Sequence, residues 1–211
     1  MSMFLKYTTK HYDKLLNALA EHLQIVGITL VISVSLAMLV SVFLMNRKKL
    51  AETVVGAWNV VYTIPSLALF ALLIPVTGLG KITAVLVLVL YNQFILVRAF
   101  TDGLMRVDES VIESATGMGM TQAQIFVRVR FPLALDSIVA GIRIAIVSTI
   151  GIATVAATIG AGGLGSLLFD GMRTQNPVKM IWGTILCAGL VLMANLILKV
   201  IENRVRTIVH C

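Results

Sequence analysis

The residues best suited to bind a partner lie in residues 110–132, a polar stretch between long apolar segments. Within it, Ser110 precedes Glu113 and Thr121 precedes Gln124 at the spacing of a capping box. In a capping box each side chain satisfies an exposed backbone donor at a helix start. The spacing therefore predicts two short helices in this stretch.

A turn is predicted between these helices, because Gly117 and Gly119 suit the left-handed or turn conformations that end one helix and redirect the chain. Phe131-Pro132 should then end the second helix. Both helices carry apolar residues that a loop in water does not need: Val111, Ile112, Ala115, Met118, Ile125, Val129 and Phe131. Two interpretations stay open, a hairpin packed on its own helical bundle and a docking element for a cytoplasmic partner.

The sequence carries no pattern typical of catalysis or of metal binding. The run from Gly160 to Gly165 matches G-x-G-x-x-G, but a dinucleotide site needs a strand before the glycines within a βαβ unit, and here an apolar helix precedes them. Cys187, Cys211 and the three histidines lack the spacing of metal ligands. No pair of carboxylates lies deep in an apolar segment. We therefore predict a chain that is not an enzyme and that binds no metal.

The composition is that of a membrane protein. Of the 211 residues 58% are hydrophobic and 13% are charged, whereas soluble domains carry about 25% charged residues. The net charge of +7 comes from Lys and Arg residues that flank the apolar runs, which is typical of topology signals rather than of a nucleic-acid surface. One membrane domain is predicted over residues 1–211.

Five apolar segments are long enough to cross a bilayer, which takes about 20 helical residues. An amphipathic helix from Met3 to His22, lying on the membrane surface, should precede them. Pro65 and Pro75 should each kink or break the second segment. The predicted all-α fold has spans at residues 23–45, 53–76, 82–99, 138–158 and 180–199, with a polar connection over residues 160–177.

The positive-inside rule sets the expected orientation. Placing residues 110–132 in the cytoplasm also places most of the Lys and Arg residues there. The N-terminus is then outside and the C-terminus is cytoplasmic.

The polar stretch resembles the EAA loop of binding-protein-dependent ABC importer permeases, whose pattern is E-A-A-x3-G-x9-I-x-L-P. The spacing fits at every position, while Ser114, Val129 and Phe131 replace Ala, Ile and Leu. The blocks at residues 64–69, 73–80, 117–121, 140–143 and 159–165 are similar to the permease subunits of osmoprotectant importers. Those importers carry glycine betaine, carnitine, choline and related quaternary amines.

This resemblance implies a bacterial plasma-membrane subunit of the type I, MetI-like permease fold. Such a subunit pairs with itself or with a paralogue, docks on two ATPase subunits that hold ATP and Mg, and receives solute from an extracellular binding protein. The resemblance places Gly119 at the turn between two coupling helices and Glu113 towards the ATPase. The residues implied in ATPase coupling are Glu113, Ser114, Ala115, Gly117, Gly119, Thr121, Val129 and Pro132.

Polar and aromatic residues within the spans are candidates for a translocation path. An amide at such a position is costly if it faces lipid. Interfacial anchoring and interhelical hydrogen bonding are the alternatives for the same residues. The candidates are Trp58, Asn59, Tyr62, Tyr91 and Asn92.

Two other functions stay open at this point. One is a permease of the same fold for another solute, such as an amino acid. The other is an ATP-independent transporter or channel, which the sequence favours less because it shows neither an internal repeat nor intramembrane ionisable groups.

Overall fold

A computed structural model describes residues 2–209 as helices joined by short connections, with side chains described for residues 7–202. Nine α-helices run through this part of the chain. They are α1 Ser2–Leu44, α2 Lys48–Thr63, α3 Ser66–Thr77, α4 Lys81–Met105, α5 Glu109–Gly117, α6 Gln122–Ile125, α7 Phe131–Val155, α8 Leu164–Arg173 and α9 Pro177–Val209. A π-helical turn at Phe126–Arg130 joins α6 to α7, and a 3-10 turn at Ala156–Ile159 follows α7.

Four helices among the described residues are long and apolar enough to cross a membrane, and the number is five if the bent pair α2–α3 counts as one broken span. The all-α fold with four or five candidate spans agrees with the prediction, and the helix ends differ from the predicted bounds. α4 continues to Met105 instead of ending near residue 99. The predicted connection over residues 160–177 contains a helix, α8, which the polar composition concealed.

The start of α1 differs from the predicted separate surface helix. The backbone leaves helical geometry at His11 (φ −130°) and then stays helical to Leu44, with no break at residue 22. Leu15, Ala18 and His22 are all buried, so their stripe continues into the apolar part of α1. The predicted boundary is wrong because residues 12–22 extend the first long helix and pack on the bundle.

The second span is broken at one of its two prolines. α2 and α3 meet at 94° across Ile64 and Pro65, and Ile64 takes the extended conformation favoured before proline. Pro75 does not interrupt α3, which ends at Thr77. Pro75 lies in the last turn, two residues before α3 ends, so the predicted second break is absent.

α4 lies at the centre of the bundle and packs against α1, α2, α3 and α7. Its contact with α7 is close: a Cβ atom added to Gly141 would lie 2.6 Å from the Cβ of Ala99. Small residues at such contacts let two membrane helices approach each other. The small size of Gly141 and Ala99 thus serves the packing of α7 on α4. At the middle of α7, Arg143 donates a hydrogen bond to Glu202 of α9.

Candidate functional site

The polar hairpin, which we define as residues 108–125, begins with an aspartate cap. Asp108 Oδ1 accepts hydrogen bonds from the backbone N and the Oγ of Ser110, both at 3.0 Å. These bonds, the backbone one first, lower the pKa of Asp108. The predicted capping box of Ser110 and Glu113 is wrong, because Asp108 precedes it and uses Ser110 as a donor.

Gly119 forms the turn between α5 and α6, as predicted. Its φ is +80°, in the left-handed region, and its N–H donates to Thr116 O at 2.9 Å. Met120 N donates to Ala115 O at 3.1 Å, which completes a Schellman motif. Gly117 is instead the last residue of α5. The turn that follows α5 therefore depends on Gly119, because most other residues adopt its left-handed conformation only at a cost.

A complete capping box starts α6 and confirms the second prediction of this kind. Gln124 N donates to Thr121 Oγ1 at 3.3 Å, and Thr121 N donates to Gln124 Oε1 at 2.8 Å. Two exposed backbone donors are thereby satisfied without any partner from the bundle.

The second helix of the hairpin does not end at Phe131-Pro132, so its predicted end is wrong. α6 continues through the π-helical turn into α7, and Pro132 lies in the first turn of α7. Phe131 N bonds to Phe126 O across the wider turn. Pro132 has no N–H to donate, and the wider hydrogen-bond spacing of the turn before it lets the helical path continue.

Most of the residues implied in ATPase coupling lie on the outside of the hairpin. Glu113, Ser114, Gly117, Gly119 and Thr121 are exposed. Ala115 is buried, as is Ile125 of α6, whereas Val129 and Pro132 are half-buried where the hairpin joins α7. Exposed apolar side chains lie among them, namely Val111, Met118 and Val127. The hairpin thus offers a mixed polar and apolar surface that its own bundle does not cover.

Arg130 connects the π-helical turn to the bundle. Its guanidinium donates to Met45 O and to Leu104 O, each at 3.5 Å. Both carbonyls lie at helix ends, where backbone oxygens lack partners within their own helix. Arg130 therefore links the π-helical turn to the ends of α1 and α4.

A cavity of about 1060 Å³ opens beside the hairpin, between α2 and α4. Its wall contains Asn59 from the predicted path residues, together with Phe94 and Arg98, which sequence reasoning missed. Tyr62 packs against Phe94 with ring centroids 4.9 Å apart. The four-residue spacing of Phe94 and Arg98 places both on one face of α4. Sequence alone does not show that α2 lies across this face and forms a cavity with it.

The other predicted path residues lie elsewhere. Tyr91 is buried and its hydroxyl donates to Ile64 O at the break between α2 and α3. Asn92 is buried and donates to Thr149 Oγ1 of α7 at 2.9 Å. Trp58 is half-buried outside the cavity wall. Asn92 thus forms interhelical hydrogen bonds, which was the alternative to a place in the translocation path.

The residues that the structure describes contain no group of three or more His, Cys, Asp or Glu side chains able to hold a metal ion. The glycine-rich run that follows α7 has positive φ at Gly160, Gly162 and Gly163. Gly163 N donates to Glu21 Oε2 of α1 at 2.9 Å. These glycines form a helix exit that packs on α1.

The fold is that of ABC importer permeases. The chain is similar to a chain of the MetNI methionine ABC transporter in an inward-facing conformation, with a TM-score of 0.83 over 90% of this chain and 95% of that chain. A second crystal form of the same transporter gives a TM-score of 0.79. Sequence identity is 24% in both cases, so this likeness concerns the fold alone.

Residues 25–207 match the family described as "Binding-protein-dependent transport system inner membrane component". The chain belongs to this family and is a membrane-spanning transport subunit. A permease of a binding-protein-dependent ABC transporter works with an ATPase and with a substrate-binding protein.

Several relatives are similar over most of the chain. The glycine betaine/carnitine/choline transport system permease protein OpuCB of Bacillus subtilis (strain 168) is 35% identical over 97% of this chain and 94% of its own length. The carnitine transport permease protein OpuCB of Listeria monocytogenes is 36% identical, with coverage of 87% and 84%. The ergothioneine transport permease/ergothioneine binding protein EgtU of Helicobacter pylori (strain G27) is 41% identical over 78% of this chain, which spans 30% of that protein.

Proposed function

We propose that this chain is the permease subunit of an ATP-driven importer for quaternary-amine solutes such as glycine betaine, carnitine and choline. The observation that carries the proposal is the similarity over 97% of this chain to a permease named for these three solutes. Ergothioneine, which gives another relative its name, shares their trimethylammonium group. The chemistry common to these solutes is thus a cationic nitrogen without N–H donors.

The proposed mechanism is alternating access. Two copies of this chain, or this chain and a paralogue, enclose the path, and the polar hairpin of each copy docks in a cleft of an ATPase subunit. ATP-driven closure of the ATPase dimer moves the hairpin, and the unbroken helix from α6 into α7 carries that movement across the bundle. Arg130 carries the movement to α1 and α4.

In this proposal the chain itself catalyses nothing and holds no cofactor. ATP and Mg bind to the partner ATPase, and an extracellular binding protein delivers the solute. The chain lies in the bacterial plasma membrane with the N-terminus outside and the hairpin in the cytoplasm. The distribution of Lys and Arg supports this orientation.

The test is uptake into proteoliposomes that hold this chain with the neighbouring ATPase and binding protein. Labelled glycine betaine, carnitine and choline are offered with and without ATP on the ATPase side. We expect ATP-dependent uptake of at least one of them, competed by unlabelled quaternary amines and not by methionine. Uptake that needs no ATP, or that amino acids alone compete, contradicts the proposal.

A further inference from the structure

The cavity between α2 and α4 changes in character along its length. Near the hairpin its wall is charged, with Lys48 and Glu52 from α2 and Asp102 from α4. Towards the break between α2 and α3 the wall is formed by Asn59 and Phe94. The wall residues of α2 follow helical spacing and so form one face of that helix. A solute in this cavity meets charges at one end and an aromatic ring at the other.

The ring of Phe94 already attracts a cation. The guanidinium carbon of Arg98 lies 5.8 Å from the ring centroid, within the range of a cation–π contact. The ion pair of Arg98 with Asp102 is long, with Nε 4.0 Å from Oδ2, and the Arg98 side chain is 62% exposed. Arg98 is therefore loosely held and can yield the ring to another cation.

Tyr62 packs against the Phe94 ring, and Tyr91 packs against Tyr62. Tyr62 lies 4.9 Å from Phe94 and 5.5 Å from Tyr91 between ring centroids. Tyr91 is anchored through its hydroxyl to Ile64 O. An ammonium group without N–H donors binds aromatic faces of this kind without leaving a hydrogen bond unmade.

We propose that this cavity is a solute subsite, in which the Phe94 ring receives the quaternary ammonium group and Arg98 receives a carboxylate. The inference rests on the proposed function. The cavity, at about 1060 Å³, lies just above the range of about 300–1,000 Å³ that is usual for small-ligand pockets, so a small solute can enter it. The charges in the wall are of both signs, which suits a zwitterion better than a simple cation. The wall holds the cations Lys48, Arg98, Arg106 and Arg130 and the carboxylates Glu52, Asp102 and Glu109.

The first test replaces the ring. In the reconstituted complex, Phe94→Leu should lower the initial rate of glycine betaine uptake by roughly threefold to tenfold, because one cation–π contact is lost. Phe94→Tyr should keep most of the rate. ATP hydrolysis stimulated by the loaded binding protein should stay near the wild-type value, since the hairpin is untouched.

Phe43→Leu is the matched control. Phe43 is an exposed ring on α1 with the Arg47 guanidinium 4.2 Å from its centroid, and it lies outside the cavity wall. This variant should transport as the wild type does. Equal uptake by Phe94→Leu and Phe43→Leu overturns the subsite, and so does an equal loss in Phe94→Leu and Phe94→Tyr.

The second test separates the two ends of the solute. Arg98→Gln should reduce uptake of glycine betaine several-fold more than uptake of choline, which lacks a carboxylate. Arg98→Lys keeps the charge and should restore part of the preference. An equal effect on both solutes overturns the role of Arg98.

A labelling measurement keeps the inference testable if the Phe94 variants fold poorly. Asn59→Cys, in a chain that carries Cys187→Ser and Cys211→Ser, is treated with a trimethylammonium thiosulfonate reagent. Millimolar glycine betaine should slow labelling at position 59 and not in a Phe43→Cys variant. Absence of protection overturns the subsite. Failure of the wild type to import any quaternary amine refutes the proposed function instead.

Discussion

Two residues fix the ends of α5, and each does so by local chemistry. Asp108 starts the helix with a carboxylate that accepts two hydrogen bonds from Ser110. Gly119 ends it with a left-handed backbone conformation, in a place where an added Cβ would meet no other atom within 4 Å. The shape of the hairpin thus depends on a charge at one end and on backbone freedom at the other.

Replacing Asp108 with Ala should loosen the first turn of α5. Because hydrogen bonding lowers the pKa of Asp108, the carboxylate stabilises the helix above the ordinary value of 3.8, and the stabilisation is lost as the pH falls through the lowered pKa. Hydrogen exchange at the amides of residues 110–112 should be several-fold faster in the variant at pH 7. The difference from wild type should shrink in strong acid, and Glu109→Gln, next to the cap, should leave exchange unchanged.

Replacing Gly119 with Asp should abolish ATP-coupled transport while the protein still inserts in the membrane. The left-handed conformation costs a non-glycine residue about 1 kcal/mol, and the new side chain enters open space, so the bundle should fold. Gly119→Asn has the same shape without the charge and should keep part of the activity. Normal uptake by the Asp variant would argue against a coupling role for the hairpin.

Residue patterns predicted one of the two caps of the hairpin. The Thr121 and Gln124 pair was predicted correctly, because the side chain of each residue caps the backbone N–H of the other. The Ser110 and Glu113 pair failed, since spacing alone does not reveal that Asp108 lies closer to the helix start. Phe94 was missed for another reason: its neighbours on α2 are distant in sequence and meet it only after the chain bends at Pro65.

At the scale of elements, the π-helical turn at Phe126–Arg130 decides how the hairpin is attached. Without a break, α6 and α7 form one continuous helical path. Arg130 leaves this path to bond Met45 O and Leu104 O. The proline rule predicted a stop at Pro132, but a turn with longer hydrogen-bond spacing accommodates that residue.

Arg130→Gln should weaken the link between hairpin and bundle. Glutamine is too short to reach both carbonyls, so we expect several-fold less solute transported per ATP hydrolysed. Arg128→Gln is the control, because Arg128 lies in the same turn and is exposed. If both variants keep the wild-type ratio, Arg130 does not transmit the movement.

Gly141→Ala should destabilise the contact between α4 and α7. The added carbon would lie 2.6 Å from Ala99 Cβ, and overpacking of this kind costs about 1–3 kcal/mol. The melting temperature of the detergent-purified protein should fall. Gly151→Ala lies on the same helix with nothing within 4 Å of the new carbon and should melt as the wild type does.

For the whole molecule, the length and composition of the apolar segments were enough to predict five spans, because crossing a bilayer requires both. The boundary at residue 22 was not predictable, since burial of His22 depends on packing within the folded bundle. α8 was hidden because its glycines and polar residues resemble a loop until the bundle supplies a surface for Leu164.

The orientation across the membrane can be tested with single cysteines. In a chain with Cys187→Ser and Cys211→Ser, Met118→Cys in the hairpin should react with an impermeant thiol reagent only from the cytoplasmic side. Thr174→Cys, in the connection between α8 and α9, should react only from the outside. The reverse pattern would overturn the proposed orientation.

The π-helical turn also sets the angle at which the hairpin is rotated around the axis of α7. It holds one residue more than an α-helical turn, and one residue corresponds to about 100° of rotation around a helix axis. A chain lacking any one of these five residues could form the same helices, shorter by about 1.5 Å, yet point its hairpin in a different direction. The direction in which the hairpin points around the α7 axis therefore depends on the number of residues in the turn, independently of which side chains they carry.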